Sequence, residues 1–406
     1  MQHVRSYDAF LIPYHIRIIN EIKERLNITM GYKVAIDMCY FYSTHAGGKD
    51  EVAYNLLRGF DEIGASGDIV CFCYKKLVPT IQEVNPNVRL QVVPKIRTWK
   101  FFQDFHFWFR SYYEEWWCKR NGVGMLVFPN KPTPNRKFDV KTCVIPHDIE
   151  VFESGLLPGI SYSEDHYNRL SHAIKNDFRN RDYIVAISDF DKSEMIKFMP
   201  WAADKITRIY DPIRFHEIKL DDDNISKKYI TVLNIQWMHK NAFTVVKAFY
   251  EIMNSVEYNL ILVGNYPDNI EEIRQYIVDN NMEHRVIMTG FVSDQKLSEI
   301  INQTRMYINA SYFEGFGMTA IEMMGDGIPT IVAESTAMPE VTMGLCRYYS
   351  PAGDYHALAQ TILNEINNPL SKEQLGMISE TVRSKYDFRN IAAEYWKFIN
   401  KCIEEK

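Results

Sequence analysis

Residues 309–322, Asn-Ala-Ser-Tyr-Phe-Glu314-Gly-Phe-Gly-Met-Thr-Ala-Ile-Glu322, hold the residue types most plainly suited to chemistry. An apolar run ends and a carboxylate appears. A Gly-x-Gly loop follows, and then a helical pattern carrying a second carboxylate. Glycines let a backbone come close to a ligand. The open N–H groups at a helix start suit a pyrophosphate. Glu314 would lie beside the ligand's sugar. Glu322, about one turn into the helix, could accept hydrogen bonds from vicinal ribose hydroxyls. The plainer alternative makes the first carboxylate a helix cap and leaves Glu322 in solvent.

Other chemically suggestive residues carry less. Asp189-Phe-Asp191 has a metal-like Asp-x-Asp spacing, but it opens a helix, so capping is expected and no metal is expected to be required. Cys71 and Cys73 alternate in a strand-like run with no second ligand pair nearby. His45 reads as a cleft or a solvent residue, His166 and His172 as surface, and Trp237 and Met238 as cleft wall.

Between Trp99 and Trp117, eleven of nineteen residues are aromatic, interleaved with Arg and Lys. Phe101, Phe105, Trp108, Tyr112 and Trp116 form one helical stripe. Such a tract suits a membrane surface or a lipid-linked acceptor. A core or dimer-interface helix is the competing reading.

These segments need elements to hold them. Short apolar runs alternate with helical stretches, which implies α/β architecture with parallel sheets covered on both faces. The runs include Lys33–Met38, Ile69–Cys73, Cys143–Pro146 and Tyr183–Ser188. A charged stretch at 219–228 reads as a linker, after which the alternation restarts at Tyr229–Asn234 and continues through Thr330–Ala333. Two doubly wound Rossmann-like domains are expected, facing each other across a cleft. The first spans 1–215, with 1–30 an added helix, and the second spans 225–387. A final helix over 388–406 is expected to pack back on the first. Ligands in such sheets bind beyond the carboxyl ends of the strands.

Composition narrows the class. Hydrophobic residues make up 46% and charged residues 24%, an ordinary globular balance. The net charge of −6 gives no global attraction to nucleic acid. Seven scattered cysteines suit a reducing compartment. The start lacks a signal-peptide pattern, and no apolar stretch reaches the roughly 20 residues of a membrane span. A cytoplasmic protein is expected, with a peripheral place on the inner membrane face open.

The 309–322 segment resembles the E-x7-E motif of family 4, the large group of retaining glycosyltransferases with the two-domain GT-B fold. The likeness continues through Ala35-Ile-Asp-Met, Gly47-Gly48, Glu51-Val-Ala-Tyr-Asn-Leu-Leu, Pro146-His147-Asp148, Ala186-Ile-Ser-Asp-Phe-Asp-Lys-Ser-Glu-Met and Asn234-Ile-Gln-Trp-Met-His-Lys240-Asn241.

The resemblance implies that Glu314 holds the donor sugar's hydroxyls and Glu322 the ribose. Backbone groups of Gly315, Phe316, Gly317 and Met318 would cradle the diphosphate with Gly47 and Gly48. Lys240 would neutralise the leaving phosphate, helped by His239, and His147 would contact the sugar near the reaction centre. Ile235 stands where the family usually has arginine, which removes a bidentate fork.

The implied substrates are a UDP- or GDP-sugar and a glycan or lipid-linked acceptor, with the acceptor bound by the first domain. Surface polysaccharide synthesis is the implied setting. The alternatives are a non-catalytic nucleotide-sugar-binding subunit and a GT-B nucleotide-sugar epimerase.

Overall fold

The computed structural model describes residues 32–41, 48–94, 103–131, 133–147, 149, 163–215 and 227–405. The expectations for 1–30, His45, Gly47, Trp99, Phe101, Asp148 and most of the 219–228 linker lie outside these residues, as does the side chain of Phe105.

Apolar runs without alternation give strands buried on both faces, as parallel sheets require. The first sheet contains β1 (Val34–Asp37), β2 (Ile69–Cys73), β3 (Arg89–Val92), β4 (Met125–Phe128), β5 (Lys141–Val144), β6 (Tyr183–Ala186) and β7 (Ile206–Arg208). Its order is β3-β2-β1-β4-β5-β6-β7, with parallel pairing throughout. Among the described residues five helices follow its strands: α1 (Gly48–Glu62), α2 (Val78–Val84), α3 (Gln103–Arg120), α4 (Glu164–Arg179) and α5 (Asp189–Phe198).

The second sheet contains β8 (Tyr229–Leu233), β9 (Asn259–Val263), β10 (Val286–Met288), β11 (Thr304–Asn309), β12 (Thr330–Ala333) and β13 (Arg347–Tyr349), in the order β10-β9-β8-β11-β12-β13 and again parallel. Its helices are α6 (Ala242–Ile252), α7 (Ile270–Asp279), α8 (Asp294–Asn302), α9 (Met318–Gly325), α10 (Met338–Val341), α11 (Tyr355–Asn367), α12 (Lys372–Tyr386) and α13 (Phe388–Glu404).

Cys71 and Cys73 lie fully buried inside β2, as strand interior. Where α12 ends, Ile213 of the first domain joins it: Ile213 N donates to Tyr386 O at 2.8 Å, and Phe388 N donates to Ile213 O at 3.0 Å. The chain then returns to the first sheet. α13 crosses α1 at Gly59, where a Cβ would come 2.4 Å from that of Ala392, so only glycine allows this approach. Trp396 meets Phe60 edge to face at 5.8 Å, and Lys141 Nζ caps the helix end through Cys402 O at 2.7 Å.

Candidate active site

Strand order reverses between β1 and β4 in one sheet and between β8 and β11 in the other. Loops leaving such paired strands run to opposite faces and open a crevice. In the second domain that crevice holds Lys240, on the turn after β8, and Glu314, on the loop after β11. Lys240 Nζ donates to Glu314 Oε1 at 2.7 Å. The same oxygen accepts from Ser311 Oγ at 2.7 Å and Asn309 Nδ2 at 3.1 Å, while Oε2 takes part in none of these bonds. Burial would raise this carboxyl, but Lys240, Ser311 and His239 hold it below the ordinary value. The carboxylate is therefore ionised and anchored through one oxygen.

The two loops are also tied together by one side chain and one backbone bond. Asn241 takes a left-handed conformation, φ 57°, and its Nδ2 donates to Ala310 O at 3.0 Å and Ala352 O at 2.8 Å. Tyr312 N donates to His239 O at 2.9 Å.

Gly317 and Gly315 stand where close approach leaves little room for a side chain. Gly317 has φ 82°, and a Cβ there would come 2.6 Å from Met338 Sδ. A Cβ on Gly315 would come 3.1 Å from His147 O, and one on Gly48 3.4 Å from Met318 Sδ. Gly48 opens α1 and Met318 opens α9, so two helix N-termini from different domains converge, each presenting first-turn N–H groups. The Phe316 ring is buried against Tyr210 and Tyr386, which leaves its backbone for a ligand. One turn along α9, burial, Asp326 and Glu51 push Glu322 up to about 8. Glu51 belongs to α1, so Glu322 also looks toward the other domain.

His147 lies in the first domain beside the Gly315 loop. Its Nε2 lies 2.6 Å from Pro129 O and its Nδ1 3.8 Å from Asp211 Oδ1, with the side chain buried in the first domain. A left-handed backbone, φ 64°, turns its carbonyl rather than its ring toward Gly315. At the start of α5 Ser188 is the cap, and Asp191 of the Asp-x-Asp pair bonds back to complete it. Ser188 Oγ accepts from Asp191 N at 3.0 Å, and Asp191 Oδ2 accepts from Ile187 N at 3.3 Å, so Asp189 is not the capping group. Ile235 is fully buried in the second domain's core, and Trp237 is 59% exposed.

The aromatic helix α3 divides by face. Tyr113 and Trp117 are core residues. Trp108 and Tyr112 are 47% and 42% exposed with rings 4.5 Å apart, and the Arg136 guanidinium lies 4.1 Å from the Tyr112 ring. Trp116 is half-buried beside Tyr113.

Sequence reasoning overlooked a sealed cluster in this domain. Arg110 lies 3.1 Å from Asp37 Oδ2 and 3.2 Å from Glu114 Oε1, with its guanidinium 4.2 Å from the Tyr40 ring. Asp37, Cys39 and Glu114 stand at metal-ligand spacing, but the guanidinium occupies both carboxylates. Asn309, Ser311 and Thr336 around Glu314 were overlooked too. The first two lay inside the 309–322 segment, as polar residues just past a buried strand.

Residues 226–368 match the model for glycosyl transferases group 1. The match spans the second sheet and its helices, so that part of the chain is similar to the group 1 glycosyl transferases. An O-antigen chain mannosyltransferase B from Escherichia coli is 22% identical over 247 residues, covering 56% of this chain and 61% of the relative. The chain spans 61% and 49% of the first two curated relatives it matches.

Among solved structures, the Thermosynechococcus elongatus sucrose-phosphate synthase superposes with a TM-score of 0.68 at 17% identity, covering 91% of this chain and 98% of that one. An Anabaena protein, HepE, in complex with UDP and glucose gives 0.67 at 13% identity, covering 91% and 99%. These likenesses show the GT-B architecture of the chain. No helix among the described residues is long and apolar enough to cross a membrane.

Proposed function

We propose that the chain is a retaining glycosyltransferase. It would move a hexosyl group from a nucleoside-diphosphate sugar to a glycan or lipid-linked acceptor during surface polysaccharide synthesis, at the cytoplasmic face of a membrane. The observation that carries the reading is the Glu314 carboxylate, anchored through one oxygen beside Lys240, where the N-termini of α1 and α9 converge. Cleaving a glycosyl–diphosphate bond builds positive charge on the sugar and negative charge on the phosphate. Helix N-termini and Lys240 would stabilise the departing diphosphate more in the transition state than in the ground state. Glu314 Oε2 would hold a sugar hydroxyl and Glu322 the ribose. Attack on the same face as departure lets the leaving phosphate oxygen accept the acceptor's proton, so no protein base is assigned and no metal is required. The relatives named as O-antigen mannosyltransferases and the neighbour solved with UDP support the substrate class.

A donor screen tests this reading. Purified protein with EDTA is given UDP-, GDP-, ADP- and dTDP-sugars, and thermal shift and nucleoside diphosphate release are recorded. One donor should both stabilise and be hydrolysed, with both responses lost in Glu322→Ala. Stabilisation without turnover, even with acceptors added, would point to a binding subunit. Silence toward every donor would end the reading.

A further inference from the structure

We propose that Glu340 and Ser188 form an interdomain clasp that sets where the Glu314–Gly315 loop stands against the first domain. They are positioning residues for transfer, and the proposal rests on reading that loop as the donor site. The first-turn N–H groups of α5 have no partners within their own helix. Ser188 Oγ takes one, from Asp191. Two others cross to the second domain: Asp189 N donates to Glu340 Oε1 at 2.7 Å, and Phe190 N donates to Glu340 Oε2 at 2.9 Å. Both oxygens of one carboxylate thus sit on the positive end of a helix in the opposite domain, where charge and dipole agree.

Ser188 Oγ also donates to Gly315 O at 2.7 Å, so the residue that caps α5 holds the donor loop directly. From Glu340 the connection returns to the same loop. Thr336, four residues before it, accepts from Glu314 N at 2.9 Å and donates to Glu314 O at 3.0 Å. Ser335 Oγ donates to Ser311 O at 2.9 Å. The bonds therefore close a ring: α5, Gly315, Glu314, Thr336, Glu340 and back to α5. Phe190 and Phe313 stack edge to face behind it at 6.2 Å. These contacts tie the domains at the reacting loop itself, beside a buried cluster in which Ile187, Tyr210 and Ile213 of the first domain pack with Phe316 and Ile321 of the second. Breaking them would leave each domain folded while letting the loop drift. A displacement of about 1 Å at a reacting group can cost on the order of 10² in rate.

The test uses full-length Glu340→Ala, Glu340→Gln and Ser188→Ala. Hydrogen exchange at Asp189 and Phe190, measured without nucleotide, should rise at least ~10-fold in Glu340→Ala and less in Glu340→Gln, which keeps one acceptor oxygen. Nucleoside diphosphate affinity should stay within about threefold, because most of the diphosphate-binding groups lie on the second domain. Turnover should fall ~10-fold or more in kcat in Glu340→Ala and Ser188→Ala, with donor KM little changed. Unchanged exchange in Glu340→Ala would remove the clasp. Raised exchange with unchanged kcat would remove its positioning role, as would a lower melting temperature with normal kcat per folded molecule. Should Glu340→Ala fail to fold, Glu340→Gln and Ser188→Ala carry the same comparison. A wild type that turns over no donor overturns the glycosyltransferase reading instead, and the exchange measurement still decides whether the clasp exists.

Discussion

Lys240 in the second domain and Arg110 in the first are both cations held among carboxylates, yet their surroundings differ in count and access. Lys240 meets one carboxylate, and the two side chains keep 20% and 10% exposure. Glu314 stays ionised and uses one oxygen for its anchors. Arg110 meets two carboxylates, and none of the three side chains exceeds 2% exposure. Burial and Asp37 push the Glu114 carboxyl well above its usual range, against the pull of Arg110 and Arg136. A matched pair with an oxygen to spare, at a strand-order reversal, can engage a ligand. A sealed triad with an excess of acid joins β1 to α3 and presents nothing to one.

If that contrast is right, the two cations fail differently. Arg110→Met leaves buried carboxylates without their cation and should cost the first domain ~3–5 kcal/mol, read by urea denaturation. Turnover per folded molecule should stay near wild type. Lost turnover with normal stability would move Arg110 into the site and break the contrast. Lys240→Met should do the reverse. Its kcat should drop ~10²–10³, as expected when one donor to a developing oxyanion is removed. Its stability should fall by only ~1–2 kcal/mol, because Ser311 and Asn309 still hold Glu314.

The same contrast explains what could be read from sequence. Asn309, Ser311, Glu314, Gly315, Gly317 and Glu322 lie within fourteen consecutive residues, so strand, loop and helix start were visible as one pattern. Arg110 and Glu114 are neighbours on α3, but Asp37 comes from a distant segment, and only the fold unites it with them. β3 has no buried position, and β7 and β13 have three residues each, so none offers a two-sided apolar run; β4 has one and was overlooked. His147 could be picked out, but its ring direction could not, because that depends on a left-handed backbone.

Glu322 sharpens the donor side through pH. Its carboxyl stands at about 8 when folded, above the ordinary 4.5. Between those values the folded state keeps a proton the unfolded state has lost. Stability therefore falls as pH rises from about 4.5 to 8 and levels off above. Glu322→Gln should remove that slope, raising the melting temperature more at pH 8.5 than at pH 5. Ribose hydroxyls favour the ionised form, so nucleotide affinity in wild type should climb toward pH 8, approaching about tenfold per pH unit below it. Calorimetry at pH 7 in buffers of different ionisation enthalpy should detect the released proton. Binding indifferent to pH would take Glu322 out of the ribose contact.

The smallest expected effect tests the first domain's open face. Trp108 and Tyr112 are nearly half exposed, whereas Trp117 on the same helix is core. Trp108→Ser should therefore change stability by no more than ~0.5 kcal/mol, as surface substitutions usually do. If the pair is a stacking platform for acceptor sugars, acceptor KM should rise several-fold with kcat and donor KM unchanged. Loss of co-sedimentation with anionic vesicles, at unchanged KM for a soluble acceptor, would assign the pair to a membrane instead. A stability loss of several kcal/mol would mean that Trp108 is covered in solution. The helix would then be scaffold on both faces, and the acceptor would have to be sought elsewhere along the first sheet's carboxyl edge.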